Sequence, residues 1–213
     1  MLWSSADIAD AVAAALQRRA HADDAEQAVY GFDTLDELRL HPLIREALTQ
    51  QGYGAWPEQR YPGAWKRRSK AEGKRCDLVL THDGRPLRDP EVRGTIFDAL
   101  GEAADPEAAY WLEIKTVAQF ETTGPFRRYA AELLAPVAED VKKLKSDRVI
   151  QHAGLLLVLF TADRETAEHD IAAWHKRCLD RGHLMGAPAT RGFAITDRTG
   201  NQWCAVAVFN VRG

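Results

Sequence analysis

The amino-acid sequence predicts a mixed α/β domain in which one sheet is covered by helices. Three observations carry that expectation. Helical and strand-like patterns follow one another in the order ααβββαβαββ along 213 residues, with no Pro/Gly/Ser-rich linker to divide them. The longest uninterrupted apolar run, AGLLLVLF from Ala153 to Phe160, reads as a buried strand and is far too short to span a membrane. A hydrophobic content of 46%, with six Trp, seven Phe and five Tyr, is enough to bury a core and excludes a disordered or low-complexity chain.

The elements follow from local patterns. Residues 5–18 place Ile8, Val12, Ala15 and Leu16 at helical spacing; Asp7 and Asp10 inside the stretch, with no basic residue ahead of it, argue against a secretory signal. A second helix is expected over residues 34–51, capped by Asp33 or Thr34, with Glu37 three residues after Thr34, Pro42 delaying or kinking its start and Gly52 ending it. Strands are expected at 55–61, closed by Pro62-Gly63, and at 75–81 (RCDLVLT), ended by His82-Asp83-Gly84. Residues 85–108 are polar and Pro-punctuated, with a short helix near 94–100. Residues 109–117 (AYWLEIKTV) read as a third strand, 126–145 as a long helix, 153–161 as the buried strand and 164–180 as another helix. A hairpin of 191–196 and 202–211, turning at 197–201, closes the chain.

Three cysteines at unrelated spacings, Cys76, Cys178 and Cys204, suit reduced thiols and a cytoplasmic setting better than a disulfide framework. With 28 Lys+Arg against 31 Asp+Glu the net charge is -3, so any attraction to nucleic acid must come from a local patch.

Two strands that should be core carry charge in their middles. Alternation along 109–117 puts Trp111, Glu113, Lys115 and Val117 on one face and Leu112, Ile114 and Thr116 on the other. In the preceding strand Asp77 is followed by Leu78-Val79-Leu80. If these strands pair, Asp77 and Glu113 come close enough to share a divalent cation, which would explain why two carboxylates sit together with little solvent. Mg²⁺ or Mn²⁺ takes such a pair, the Ile114 carbonyl can complete the protein's share, and Lys115 can position a metal-bound water or offset charge developing on a phosphate. The bland alternative is a buried salt-bridge cluster.

On RCDLVLT and Trp111-Leu112-Glu113-Ile114-Lys115, preceded by a helix and followed by a helix and a strand, the sequence resembles the PD-(D/E)xK phosphodiesterase superfamily. The resemblance implies the restriction-endonuclease-like αβββαβ core over residues 34–161, a mixed sheet flanked by helices. An N-terminal helix, an insertion at 85–108 and a C-terminal extension at 163–213, helix plus β-hairpin, would be additions within a single domain. It implies Asp77 and Glu113 as metal ligands and Lys115 as the catalytic lysine. Many members add a glutamate from the first core helix; Glu37 is the first candidate and Glu46 the second, with Glu58 on the first strand also placed beside Asp77. Other acidic-x-Lys tripeptides, Glu72-Gly73-Lys74 and Asp140-Val141-Lys142, do not lie in apolar strands.

The loop ahead of Asp77 gathers Lys66, Arg67, Arg68, Lys70, Lys74 and Arg75 against only Glu72, an electrostatic footprint for phosphates, with Trp65 and Trp56 available to stack on a base. Arg127 and Arg128 read as an exposed helix start, with phosphate contact the alternative, and Asp140 with Lys143 as a surface ion pair, with a site-facing Lys143 the alternative that the resemblance allows. His175, Cys178 and Cys204 lack the second ligand pair a zinc site needs, and no HExxH, Gly-x-Ser-x-Gly or GxxxxGK[ST] occurs. The expectation is a metal-dependent nuclease acting on DNA, alone or as a homodimer; the alternative is an inactive protein of this fold that binds nucleic acid or another protein.

Overall fold

A computed structural model describes residues 3–28, 30–64, 75–88, 103–134, 136–196 and 200–211. Helix α1 (Ser5–Ala25) starts at Ser4, whose side chain accepts the Asp7 N–H. Helix α2 (Glu37–Gln50) starts at Asp36, whose carboxylate accepts the Arg39 N–H at 2.9 Å, not at Asp33 or Thr34. Those two lie in a short 3₁₀ turn, Phe32–Thr34, and the buried Asp33 carboxylate faces the Asn201 amide at 3.2 Å, so it is unavailable as a cap. Pro42 lies inside α2 without ending it, and Gly52 follows its last turn in the left-handed conformation that favours glycine.

The strands are β1 (Gly54–Arg60), β2 (Arg75–Thr81) and β3 (Tyr110–Ala118), then a small two-stranded ribbon of β4 (Phe120–Glu121) and β5 (Gly124–Pro125) that the sequence pattern does not announce. The expected long helix is described as α3 (Tyr129–Leu134) and α4 (Pro136–Ser146), with residue 135 between them outside the described residues. Strand β6 (His152–Thr161), α5 (Arg164–Asp180), β7 (Ala189–Ala194) and β8 (Trp203–Val211) complete the chain. Of the expected turn at 197–201, residues 197–199 lie outside the described residues, as does the helix expected near 94–100.

Six strands form one mixed sheet in the order β1-β2-β3-β6-β8-β7, antiparallel at every junction except β3–β6. That parallel pair needs a crossover, which α3 and α4 supply. One face, with Leu78, Leu112, Ile114 and Leu156, is covered by α1 and α2 through Ile8, Leu16, Leu40 and Ile44. The other, with Trp111, Leu155, Leu157 and Phe209, is covered by α4 and α5 through Val141, Leu144, Ile171 and Trp174. The three cysteines are free and buried, and among the described residues no helix is long and apolar enough to cross a membrane.

At the β3–β6 junction the Tyr110 ring lies across Gly154 and its hydroxyl reaches the Asn210 side-chain oxygen at 2.7 Å. A Cβ built on Gly154 would stand 2.1 Å from that hydroxyl. Gly154→Ala should therefore cost about 1–3 kcal/mol by forcing the ring aside. The loss is read as a lowered urea midpoint with unchanged m-value.

Candidate metal centre

Strand β3 is hydrogen-bonded to β6 along its whole length but to β2 only over Tyr110, Trp111 and Leu112. The β2–β3 register ends at Leu78↔Leu112, and the later N–H groups on that edge of β3 have no strand to bond. Two carboxylates take the strand's place. Asp77 Oδ2 accepts the Ile114 N–H at 2.8 Å, and Glu37 Oε2, from the first residue of α2, accepts the Thr116 N–H at 3.2 Å. Alternate residues present their N–H groups to the same edge, so the two acceptors line it in succession.

The cause of the divergence lies one position earlier. Pro57 pairs with Leu78 and Gln59 with Cys76, while Glu58 and Asp77 between them make no pair, and Glu58 holds φ at 54°. A left-handed conformation at a non-glycine costs about 1–2 kcal/mol. The kink breaks the alternation of β2: Leu78 packs toward α1 and α2, whereas Cys76 packs on the opposite face. Asp77 emerges at this break.

Glu113 and Lys115 leave β3 on the α4 side, as their alternation requires. Glu113 is only 2% exposed; Tyr61 donates its hydroxyl hydrogen to Oε1, and the Asp77 carboxyl is a second hydrogen-bond partner. Burial, followed by the charge of Asp77, pushes the Glu113 pKa up to about 9; the Asp77 hydrogen bond and Asp140 act in the same direction, while the Tyr61 bond opposes them. Without a cation, Glu113 thus keeps its proton at neutral pH. Tyr61 is fixed by stacking on Trp111, and the turn after it is tied to the end of α4 by the Gly63 N–H to Asp147 Oδ2, 2.6 Å.

Lys115 Nζ stands 3.2 Å from Glu37 Oε1 and 3.5 Å from Asp140 Oδ2. Burial alone would lower its pKa, but Glu37 and Asp140 outweigh burial and raise it, so Lys115 is a fixed cation. The other Asp140 oxygen holds Lys143 Nζ at 2.5 Å. This corrects the expectation of a surface ion pair: Asp140 is 3% exposed, because Val141 and Leu144 of α4 dock in the core and turn Asp140 toward β3.

Glu37, Asp77, Glu113 and Lys115 are thus gathered at one place. Glu58 is exposed but lines a cavity of about 210 Å³ together with Asp77, Leu78, Ile114 and His41. Glu46 stays away, exposed on α2 and bonded to Gln50. Arg75 opens β2 and donates to the Glu58 carbonyl; Lys66, Arg67, Arg68, Lys70, Lys74 and Trp65 lie outside the described residues. Trp56 is half-buried, bonded to Thr81. Arg127 and Arg128 are exposed, the latter paired with Glu132. A larger hollow, about 1080 Å³ between the loop after α1 and the β4–β5 ribbon, contains none of these site residues.

No family model matches the chain, and no curated protein or solved structure does. The reading of the site therefore rests on its own chemistry.

Asp77 and Glu113 suit a divalent cation: binding the ion can displace the proton that burial and the charge of Asp77 keep on Glu113. Sequence reasoning missed Tyr61, His41 and Asp140. For Tyr61 no signal was available; for His41, helical spacing from Glu37 at i, i+4 was legible but undirected.

The raised Glu113 pKa has a sign. The folded state binds a proton more tightly than the unfolded chain, so this group's contribution to stability is full below about pH 4.5 and is lost as pH rises toward about 9. Glutamine mimics the protonated carboxyl. In EDTA, Glu113→Gln should be more stable than wild type by roughly 1–3 kcal/mol at pH 8, with the gain shrinking toward pH 5, as followed by thermal melts.

Proposed function

We propose that this chain is a metal-dependent phosphodiesterase of the PD-(D/E)xK type, hydrolysing nucleic acid, with DNA as the substrate. The observation that carries the reading is the meeting of Asp77 with Glu113 where β2 leaves β3, with Lys115 two residues along the same strand. The order α2-β1-β2-β3-helix-β6, with β3 and β6 parallel, supports the superfamily core.

Asp77 and Glu113 would hold Mg²⁺ or Mn²⁺, with Ile114, which lines the cavity beside Asp77, contributing its carbonyl. When bound, the ion supplies Lewis acidity and a water of lowered pKa. The chain's own groups do the rest. Lys115, held charged by Glu37 and Asp140, is an electrostatic partner for a phosphate and not a proton acceptor. Glu37 fixes the lysine from one side while bonded to the strand edge through Thr116, so the ammonium is aimed by backbone. Tyr61 keeps Glu113 oriented toward Asp77. Lys66 to Arg75 would bring phosphates to the same end of β2.

A second reading, an inactive protein of this fold that binds nucleic acid or another protein, draws on the complete ion-pairing of Lys115. Activity separates the two. With Mg²⁺ or Mn²⁺, wild type should nick or degrade DNA, and Lys115→Ala should lower the rate constant by about 10²–10³ with the circular-dichroism spectrum unchanged. Equal rates for the two proteins would remove the assignment.

A further inference from the structure

We infer that the cation at this centre has a nitrogen in its coordination shell, supplied by His41, and that the site accordingly prefers a first-row transition ion to Mg²⁺. The inference rests on the proposed metal centre and extends it to a ligand, and hence a class of ion, that the Asp77–Glu113 pair does not specify.

Glu37 and His41 are four residues apart on α2 and share one face of its first turns. One donor atom each from Glu37, His41 and Asp77 lies within 4.8 Å of the others. Donors about 2.0–2.2 Å from a common ion stand roughly 3–4.4 Å apart, so small side-chain rotations bring the three onto one cation. His41 Nε2 is shielded from solvent and has no hydrogen-bond partner, although two carboxylates are close by. A shielded ring nitrogen without a partner is one that a water or a metal ion can satisfy. His41 and Asp77 also open into the same 210 Å³ cavity, which gives an ion and its water a route to both.

The carboxylates are already positioned for the task. Glu37 and Asp77 are each anchored to the edge of β3 by one backbone N–H and retain lone pairs for a metal. Asp77 therefore faces Glu113 on one side and the Glu37–His41 pair on the other. Mg²⁺ favours oxygen donors in a near-ideal octahedron, whereas imidazole raises affinity for Mn²⁺ and the ions after it.

The test uses the intact chain with Mn²⁺ as probe. Pulsed electron paramagnetic resonance of the Mn²⁺ complex should show ¹⁴N modulation that changes when histidine is supplied as its ¹⁵N form and disappears in His41→Asn. Calorimetry should show Mn²⁺ affinity falling about 10-fold or more in His41→Asn, while Mg²⁺ affinity moves less than about 3-fold. If Mn²⁺ binding depends on Asp77 but wild type shows no histidine nitrogen coupling, the inference is overturned and the Asp77–Glu113 reading stands. If Asp77→Asn leaves Mn²⁺ binding intact, or no Mn²⁺ binds, both readings fall. The wild-type spectrum decides the matter even if His41→Asn does not fold, and His41→Gln provides a second variant.

Discussion

Everything distinctive about this molecule depends on the unpaired edge of β3. A central strand bonded along its full length to β6 would ordinarily be bonded on both sides; here β2 departs after Leu78↔Leu112 and leaves N–H groups that burial makes costly to abandon. Asp77 and Glu37 answer that need through Ile114 and Thr116. The two acceptors are carboxylates, so the same bonds that complete the sheet also concentrate negative charge at one point. A backbone deficit is thereby turned into a site.

The surrounding groups are arranged around that charge. Glu113 adds a third carboxyl from β3 itself, bonded to Tyr61 and held protonated by burial and by the charge of Asp77. Lys115 and Lys143 supply two positive charges, both gripped by the buried Asp140. A cluster kept for stability alone would be improved by apolar replacements, since the desolvation of so many charges is seldom repaid. The strained Glu58 conformation beside Asp77 adds a further cost at the same position. Under the proposed function, a cation and a phosphate are what offset the costs that converge on this locus.

Most of the framework was legible in the sequence because it rests on periodicity. The apolar β6, the alternation of β3 and the helices on either side of them follow from positions such as Leu155, Leu157, Trp111 and Ile8, which bury whatever the rest of the fold does. The charged positions Asp77, Glu113 and Lys115 were conspicuous because they interrupt those patterns. What stayed hidden depended on tertiary placement. Asp140 and Lys143 have the spacing of an ordinary exposed pair, and only the docking of Val141 and Leu144 decides that Asp140 turns inward. His41 is a lone histidine beside a proline until α2 is laid against Asp77. The cap of α2 moved to Asp36 because Asp33 is committed to Asn201, a contact between residues 168 positions apart.

Under the proposed function the place where β2 leaves β3 is a cation site built on Asp77, and anomalous diffraction from crystals grown with Mn²⁺ decides it. An anomalous peak is expected at about 2.0–2.3 Å from an Asp77 carboxylate oxygen, in the cleft between Glu113 and α2. Crystals that show the Leu78↔Leu112 divergence intact and no Mn²⁺ at Asp77 would contradict it.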